Sequence, residues 1–235
     1  MPFDVRPAWV LPPGVSPYYQ DDLVVILHGD CRELLPMIEA GLVIADPPYG
    51  VNERTERRRA GRGTLAPARD FPWIHGDDSP FDPAHLLGRP RLILWGANHY
   101  AERLPASPSW IVWDKLAGLS SKRDLGFNDN GDAELAWSNL GGPVRLIPHR
   151  WMGLIRATEK ERHLHPTQKP VAVMAALIRA FSRPDETIIA PYLGSGPEIV
   201  AAKALGHRAI GIEIEERYCE VAANRCRQEV LGLLG

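Results

Sequence analysis

Residues 44–50 read IADPPYG and combine side chains suited to chemistry on a nitrogen atom. An exocyclic amine on a base is a poor nucleophile, because its lone pair is delocalised into the ring. The Asp46 carboxylate and the Pro47 carbonyl can both accept a hydrogen bond from such an amine, which frees the lone pair in the transition state. Consecutive prolines, Pro47 and Pro48, hold these acceptors rigid, and Tyr49 offers a face on which an extruded base can stack. The stretch predicts methyl transfer to an amine; the alternative is a proline-rich turn.

A second candidate site is the loop formed by Gly194, Ser195 and Gly196, between a predicted strand and a predicted helix. Glycines there let the backbone approach a ligand beside a positive helix N-terminus. No Gly-Lys-Ser/Thr follows, so the loop is not a P-loop, and Ile199 stands where the NAD fingerprint has its third glycine. Glu213 ends the next strand, where an acid can bind ribose hydroxyls. These residues fit S-adenosylmethionine; a tight turn with a surface acid is the alternative.

Cysteine usage and charge exclude several other functions. None of the three cysteines, Cys31, Cys219 and Cys226, follows a proline, as the nucleophile for methylation at a cytosine carbon usually does. Neither CxxC nor zinc deaminase spacing is present, so we expect no metal. No apolar run is long enough to cross a bilayer and no signal peptide is recognisable, so we expect no membrane partner. With a net charge of -2, any nucleic-acid binding must depend on local basic segments.

The predicted elements bring these motifs to one edge of a sheet. Strands that alternate with helical patterns imply an α/β fold with parallel pairing, in which ligands lie at the carboxyl ends of the strands. Asp30, Asp46, the glycine loop and Glu213 all follow or end predicted strands. We expect a single domain over residues 1–235 with an irregular arm at 1–20. The predicted strands are 23–30, 42–46, 91–97, 110–114, 133–139, 144–148, 187–190 and 208–213, the predicted helices are 31–41, 170–182, 197–205 and 215–234, and Trp95, Trp113 and Trp137 are predicted core residues.

In this order along the chain, DPPYG, HPTQKP and YLGSG resemble the motifs of DNA amino-methyltransferases of the circularly permuted β class. The resemblance spans roughly residues 20–230, with gaps at 51–90 and 115–132 that are read as loop insertions facing DNA. It implies a Rossmann-like, S-adenosylmethionine-dependent methyltransferase fold: a mostly parallel, seven-stranded sheet with helices on both faces, circularly permuted. It also implies methyl transfer to adenine N6 in DNA after base flipping, with S-adenosylhomocysteine as the product. Cytosine N4 is the alternative, because DPPY favours adenine only statistically.

The resemblance further implies a role for each matching residue. The catalytic pocket would be formed by Asp46, Pro47, Pro48 and Tyr49. Thr167 and Lys169 would lie near the methionine carboxylate of the cofactor, although a helix N-terminus capped by Thr167 would give the same sequence. Asp30 and Cys31 would meet the cofactor's adenine, the residues from Tyr192 to Gly196 its methionine and sulfonium, and Glu213 its ribose. The full cofactor-binding set is Asp30, Cys31, Asp46, Thr167, Lys169, Tyr192, Leu193, Gly194, Ser195, Gly196, Glu213 and Ile214.

Two positions depart from the family pattern. Ala190 stands where the family usually has an acid that helps to hold the cofactor's ammonium, and Pro197 stands where it has a threonine. Losing a charge-assisted contact costs roughly 1.5–3 kcal/mol, about tenfold to a hundredfold in affinity. A binding protein that has lost catalysis is therefore a rival interpretation.

Basic segments provide the candidate DNA contacts. Residues 51–70 hold six arginines against three acids, and Asn52, Arg57, Arg58 and Arg59 are the predicted DNA-binding residues; a solvated loop is the alternative. Residues 149–163 form a second basic segment. Because no large target-recognition segment is visible, we expect short or relaxed sequence specificity, or specificity completed by a second subunit such as a homodimer partner. The setting implied is the cytoplasm of a bacterium or of its phage-infected cell, in restriction-modification or phage protection.

Overall fold

A computed structural model describes residues 8–39, 41–50, 76–117, 131–152, 155–156 and 168–228. Within these ranges a nine-stranded sheet forms the centre of the molecule, and a separate antiparallel pair of two-residue strands follows β7 in the chain. None of the described helices is long and apolar enough to cross a membrane. The strands are β1 (Tyr19–Gln20), β2 (Val24–His28), β3 (Leu42–Ala45), β4 (Leu92–Trp95), β5 (Trp110–Asp114), β6 (Ala133–Ser138), β7 (Arg145–Pro148), β8 (Trp151–Met152), β9 (Ile155–Arg156), β10 (Ile188–Ala190) and β11 (Ala209–Glu213).

The order of strands in the sheet is β1-β2-β11-β10-β3-β4-β6-β5-β7. The run β2-β11-β10-β3-β4 is parallel throughout, which confirms the parallel pairing predicted from alternating strands and helices. On one side β6 runs antiparallel between β4 and β5, and β7 pairs parallel with β5. On the other side β1 is antiparallel to β2. The implied circular permutation stays a prediction.

Two predictions are wrong at the edges of the sheet, namely the count of seven strands and the irregular arm over residues 1–20. The sheet has nine strands within the described residues, and β1 and β7 are the outermost. Within the arm, Tyr19 pairs with Ile26, so the end of residues 1–20 is a short strand rather than irregular. The unpaired backbone groups of an edge strand are a template for a further segment, and even a two-residue stretch can use it.

Five α-helices lie within the described residues. The predicted helix over 31–41 is shorter than expected, because Pro36 has no N–H to continue the α-helical ladder and the chain passes into a 3₁₀ turn over Leu35–Met37. In the predicted insertion 51–90, a helix that the sequence analysis did not predict follows Pro83. Pro197 opens its helix at the first position. The helices are α1 (Cys31–Leu34), α2 (Ala84–Leu87), α3 (Val171–Phe181), α4 (Pro197–Ala204) and α5 (Glu216–Arg227).

The sheet is covered on both faces, as predicted, and its alternating side chains enter two separate cores. In β3, Leu42 and Ile44 join the core that holds α3, α4 and α5. Val43 and Ala45 face the opposite core, with residues of α1 and α2. Strands buried on both sides read as continuous apolar runs, which is the pattern of LVIA in the sequence. The three predicted core tryptophans are all buried, namely Trp95, Trp113 and Trp137.

Parallel pairing brings the polar residues together at one edge. Asp30 follows β2, Asp46 follows β3, the loop 191–196 follows β10, and Glu213 ends β11. These four strands are neighbours and point the same way, so their carboxyl ends form one rim. A crevice at such a rim is where open α/β sheets bind ligands.

Candidate active site

A cavity of about 400 Å³ opens at this rim. Its size lies within the usual range for small-molecule sites. The predicted site residues that line it are Asp30, Cys31, Asp46, Pro47, Pro48, Tyr49, Tyr192, Gly194, Glu213 and Ile214.

Four predicted cofactor-binding residues lie behind the cavity wall and not on it. The Leu193 side chain packs against Gly211 of β11. The packing is so close that a Cβ on Gly211 would lie 2.7 Å from the Leu193 side chain. Ser195 is buried, and its carbonyl and hydroxyl oxygens accept from Arg225 Nη1 at 2.8 and 3.3 Å. Gly196 donates to the Leu193 carbonyl at 2.8 Å. Lys169 is the fourth, and it lies beneath Asp46.

The remaining predicted residues lie outside the part of the chain that the structure describes. They are Thr167 of the HPTQKP motif and the DNA-binding candidates Asn52, Arg57, Arg58 and Arg59.

The Asp46 carboxylate is held by two donors on a single oxygen. Its Oδ1 accepts from the Tyr49 hydroxyl at 2.6 Å and from Lys169 Nζ at 2.5 Å. Lys169 also donates to the Tyr49 hydroxyl at 2.9 Å, which closes a triangle of three polar groups. Within the described residues the other carboxylate oxygen, Oδ2, accepts no hydrogen bond, so it remains available as an acceptor in the cavity.

Lys169 is the cation of a buried network. Its ammonium lies 3.2 Å from Glu134 Oε2, and Glu134 is also paired with Lys115. Burial alone would lower the pKa of Lys169, but the charges of Asp46 and Glu134 outweigh it and raise the pKa above its usual value. Burial raises the pKa of Asp46, although the Lys169 charge opposes it. The pKa of Glu134 is lowered, because two lysines outweigh the effect of its burial.

The ring of Tyr49 is fixed by close packing. It stacks on His99 with centroids 5.1 Å apart and planes inclined by 12°. Gly96, with φ +66°, lets the ring approach the backbone, since a Cβ there would lie 2.0 Å from a ring carbon. The turn after Tyr49 is tied down as well, because the Gly50 N–H donates to Asp77 Oδ1 at 2.9 Å. Chain and ring are thus locked in one arrangement beside Asp46.

The glycine loop is bound to the acid at the end of β11. Glu213 Oε2 accepts from the Gly194 N–H at 2.7 Å, and Oε1 accepts from the Glu215 N–H at 2.8 Å. Burial raises the pKa of Glu213 in spite of these bonds. Each carboxylate oxygen keeps a further lone pair for a ligand hydroxyl. The loop and the predicted ribose acid therefore form one unit.

The far wall of the cavity is aromatic. Tyr192 lies beside the Cys31 thiol, and its hydroxyl lies 2.8 Å from His85 Nε2. Phe81 meets the Tyr192 ring edge-on at a centroid distance of 5.8 Å. Burial raises the pKa of Cys31 and lowers that of His85, so both are neutral groups at pH 7. Asp30 lies nearby as the N-cap of α1 and pairs with Arg32.

Several site residues escaped the sequence analysis. Phe81, His85 and Asp77 belong to a stretch without periodicity that was read as a loop facing DNA, yet the three line the cavity. Glu134 is a single acid in a strand pattern, which gives no signal of its own. Glu198 follows the glycine loop motif after Pro197, and an acid in the first turn of a predicted buried helix was a signal that could have been used.

The cavity fits a nucleoside-type cofactor. Gly194 lines it with φ +50°, a backbone conformation that suits glycine and brings the chain close to a ligand. Two carboxylates, Asp30 and Glu213, and an aromatic wall lie within reach of one small molecule. Among the described residues no cluster of histidine, cysteine and acidic side chains could hold a metal ion.

The sheet and its rim form a Rossmann-like fold that solved DNA methyltransferases share. The M1.HpyAVI–SAM complex matches 87% of this chain and 100% of its own, with a TM-score of 0.54 at 21% identity. The PvuII DNA methyltransferase, described as cytosine-N4-specific, matches 94% of this chain and 92% of its own, with a TM-score of 0.60 at 12% identity. At these identities the likeness concerns the fold.

Sequence comparisons place the chain more narrowly. Residues 112–224 match the DNA methylase family of N6 and N4 methyltransferases. The Type II methyltransferase M2.DpnII of Streptococcus pneumoniae is 40% identical over 91% of this chain and 93% of its own length. The Type II methyltransferase M.ScaI of Streptomyces caespitosus is 30% identical over 93% and 86%. The chain belongs to the N6/N4 DNA methyltransferase family.

Membership in this family confirms the predicted class, a DNA methyltransferase that depends on S-adenosylmethionine. The choice between adenine N6 and cytosine N4 is not resolved by these matches, since the family includes both.

Proposed function

We propose that the protein transfers a methyl group to the exocyclic N6 of adenine in DNA, at the site formed by residues 46–49. The observation that carries the proposal is the arrangement of Asp46. One carboxylate oxygen is fixed by Lys169 and Tyr49, and the other has no partner among the described residues and belongs to a residue of the cavity wall.

In this proposal the target amine donates one N–H to Asp46 Oδ2 and the other to the Pro47 carbonyl. Both acceptors pull the nitrogen towards a tetrahedral geometry, which frees its lone pair for the attack. Lys169 acts through Asp46: its ammonium holds the carboxylate in place and opposes the rise in pKa that burial causes. The methyl group that the nitrogen receives would be supplied by S-adenosylmethionine, which would leave as S-adenosylhomocysteine, and the surplus proton of the methylated amine would pass to solvent.

Base flipping is part of the proposal, because an amine inside a duplex cannot reach a carboxylate at the rim of a cavity. One face of the Tyr49 ring is covered by His99. An extruded base would therefore stack on the opposite face, with its amine beside Asp46. The fixed ring costs little entropy when the base binds, since Gly96 and His99 have already ordered it.

Cofactor binding is assigned to the residues around the glycine loop. Glu213, bound to the Gly194 N–H, would accept from the ribose hydroxyls. Asp30 and the neighbouring Cys31 would face the adenine, and Tyr192 would close the wall beside the methionine. Lys169 is proposed to act through Asp46 and not on the methionine carboxylate of the cofactor. Its ammonium is engaged with Asp46 and Glu134 behind the cavity wall.

DNA binding by residues 51–70 completes the proposal and carries its own prediction. Replacing the three arginines at 57–59 with serine should flatten the dependence of DNA affinity on salt, by about 0.9 in the slope for each arginine that neutralises a phosphate. A control with the exposed Arg145, Arg179 and Arg183 changed to serine should leave the slope as it is. An unchanged slope in the first variant would remove the arginines from the interface.

A homodimer and a cytoplasmic setting also stay predictions.

Mass spectrometry of nucleosides tests the proposed function directly. DNA incubated with the protein and S-adenosylmethionine should contain N6-methyladenine, and DNA incubated without cofactor should not. N4-methylcytosine would establish the alternative, which uses the same acceptors. No modified base, together with measurable cofactor binding, would contradict the proposal and support a binding protein that has lost catalysis.

A further inference from the structure

Glu198 is a buried carboxyl group to which the proposed transfer gives no role. It is the second residue of α4, directly after the glycine loop, and its side chain is 2% exposed. Its Oε2 atom is buried and has no hydrogen-bond partner among the described residues. An acceptor left unpaired in a protein interior is costly, so this oxygen gains from any ligand that can pair with it.

None of the described charged groups around Glu198 provides it with an ion-pair partner. Three groups act on it: Asp46 after β3, Lys169 before α3 and Arg225 in α5. Both cations are already engaged, because Lys169 is bound to Asp46 and Glu134, and Arg225 to the carbonyl and hydroxyl oxygens of Ser195. Burial, reinforced by the negative charge of Asp46, raises the pKa of Glu198 to about 8. Without a ligand the group is therefore mainly protonated at pH 7.

The other acids at the rim are placed differently. Glu213, at the end of the strand beside α4, accepts two backbone N–H bonds with its two oxygens. Asp30 forms a close ion pair with Arg32. Ala190, which ends β10 just before the glycine loop, carries no charge. Within the described residues, Glu198 is the acid next to the loop that has a buried oxygen without a hydrogen-bond partner.

The ligand of the proposed function carries a suitable charge. At its methionyl end S-adenosylmethionine has a sulfonium and an ammonium against a single carboxylate, a net charge of +1. After the methyl group has left, S-adenosylhomocysteine is a thioether with a net charge of zero. A carboxylate beside the loop distinguishes these two molecules by charge, although they have almost the same shape.

We infer that Glu198 is the counter-charge for the cationic methionyl end of S-adenosylmethionine, ionising when the cofactor binds and so favouring the cofactor over its demethylated product. The inference rests on the proposed function, in that the cofactor is taken to bind at the glycine loop. In the binding step the Glu198 carboxyl releases its proton to solvent. Glu198 is not a residue of the cavity wall, so the resulting carboxylate attracts the positive ligand from behind the glycine loop. When the sulfonium charge is lost on transfer, the carboxylate takes up a proton and the product is released.

Calorimetry in two buffers of different ionisation enthalpy measures this proton directly. At pH 7 the full chain should release up to about one proton on binding S-adenosylmethionine, and the release should fade above pH 8 as the empty group ionises. S-adenosylhomocysteine should release less. No release by the wild type with S-adenosylmethionine at pH 7 would overturn the inference, whatever any variant does.

Variants at position 198 test whether the proton released on cofactor binding comes from Glu198. Glu198→Gln should abolish most of the release and weaken S-adenosylmethionine binding about tenfold to a hundredfold more than S-adenosylhomocysteine binding. Glu198→Asp keeps the charge and should retain the release. Glu102→Gln, at a side chain that is 72% exposed, is the matched control and should behave like the wild type. Equal weakening of both ligands by Glu198→Gln, or an unchanged release, would contradict the assignment.

The failure of this inference and that of the proposed function are distinguishable. If methylated bases form but Glu198→Gln behaves like the wild type, the inference alone fails. If the proton is released on cofactor binding but no base is methylated, the proposed transfer fails and the role of Glu198 stands.

Discussion

Asp46 and Glu198 are two buried acids near the same rim, and they differ in what surrounds them. Asp46 has an ammonium and a phenol hydroxyl on one oxygen, both from the protein itself. Glu198 has an oxygen with no partner among the described residues. Burial is the largest influence on the pKa of each, and it acts upwards in both. The chain places its buried lysine against the first acid and leaves the second acid for a cation from outside.

The two acids illustrate two different uses of a buried carboxyl group: Asp46 is held ready before the substrate binds, and Glu198 changes its ionisation when a ligand binds. A carboxylate that must hold a target amine in one orientation needs to be ionised and rigid before the substrate arrives, which an internal ion pair achieves. A carboxyl that is neutral until a cation arrives couples its ionisation to binding and can distinguish charged from neutral ligands. The same side-chain chemistry would thus support two different tasks near one rim of the sheet.

The largest effect is expected from removing the shared lysine. Lys169→Met leaves Asp46 buried without its cation and removes one of the two lysines that pair with Glu134, so it should lower the free energy of unfolding by about 3–5 kcal/mol. Chemical denaturation measures it. Lys203→Met, which breaks a partly exposed pair with Asp21, should cost about 1 kcal/mol or less. A loss below about 1 kcal/mol in Lys169→Met would mean that the network does not depend on this cation.

The second effect concerns the pH dependence of stability. The folded-state pKa of Glu198 is raised to about 8, so the folded protein keeps a proton that the unfolded chain loses. The stability linked to this group is complete below its ordinary pKa and is lost as the pH rises towards 8. Between about pH 5 and pH 8 the loss should be on the order of 3 kcal/mol, at about 1.4 kcal/mol per pKa unit. Denaturation of the wild type and of Glu198→Gln at both pH values should show that difference; identical pH profiles would contradict it.

A smaller effect should follow from disturbing the ring beside Asp46. A Cβ in Gly96→Ala would lie 2.0 Å from the Tyr49 ring, and the position has φ +66°. The ring must move, which should cost about 1–3 kcal/mol of stability and lower methyl transfer by up to about a hundredfold. Gly88→Ala is the control, because nothing lies within 4 Å of the added carbon. Equal transfer rates in the two variants would show that the position of Tyr49 does not matter.

The sequence predicted the frame of the fold because that frame depends on local patterns. Continuous apolar runs such as Leu42–Ala45 and Ile188–Ala190 are typical of strands buried on both faces, and each was found where it was expected. Motifs that follow such strands must then meet at the rim. The short β1 could not be predicted in the same way, because an edge pairing depends on tertiary contacts. The truncation of α1 follows from Pro36, a local signal that the helical pattern of the surrounding residues concealed.

The candidate site was predictable where residues are consecutive and not where the fold assembles them. Asp46 and Gly194 were identified from motifs, and both line the cavity. The pairing of Lys169 with Glu134, by contrast, joins a helix start to a strand in another part of the sheet. No spacing along the chain carries that information. Phe81 lines the cavity, but it belongs to a stretch without periodicity, in which side-chain types alone do not predict which residues face a ligand.

Methyl transfer by Asp46→Ala is the most direct measurement of the central claim, that this carboxylate prepares the target amine for attack. With the fold checked by thermal unfolding and with saturating S-adenosylmethionine, the transfer rate should fall by at least about a hundredfold. Cofactor binding at the glycine loop should persist, since Glu213 and Gly194 are untouched. A variant that binds cofactor and still methylates DNA at the wild-type rate would contradict the claim.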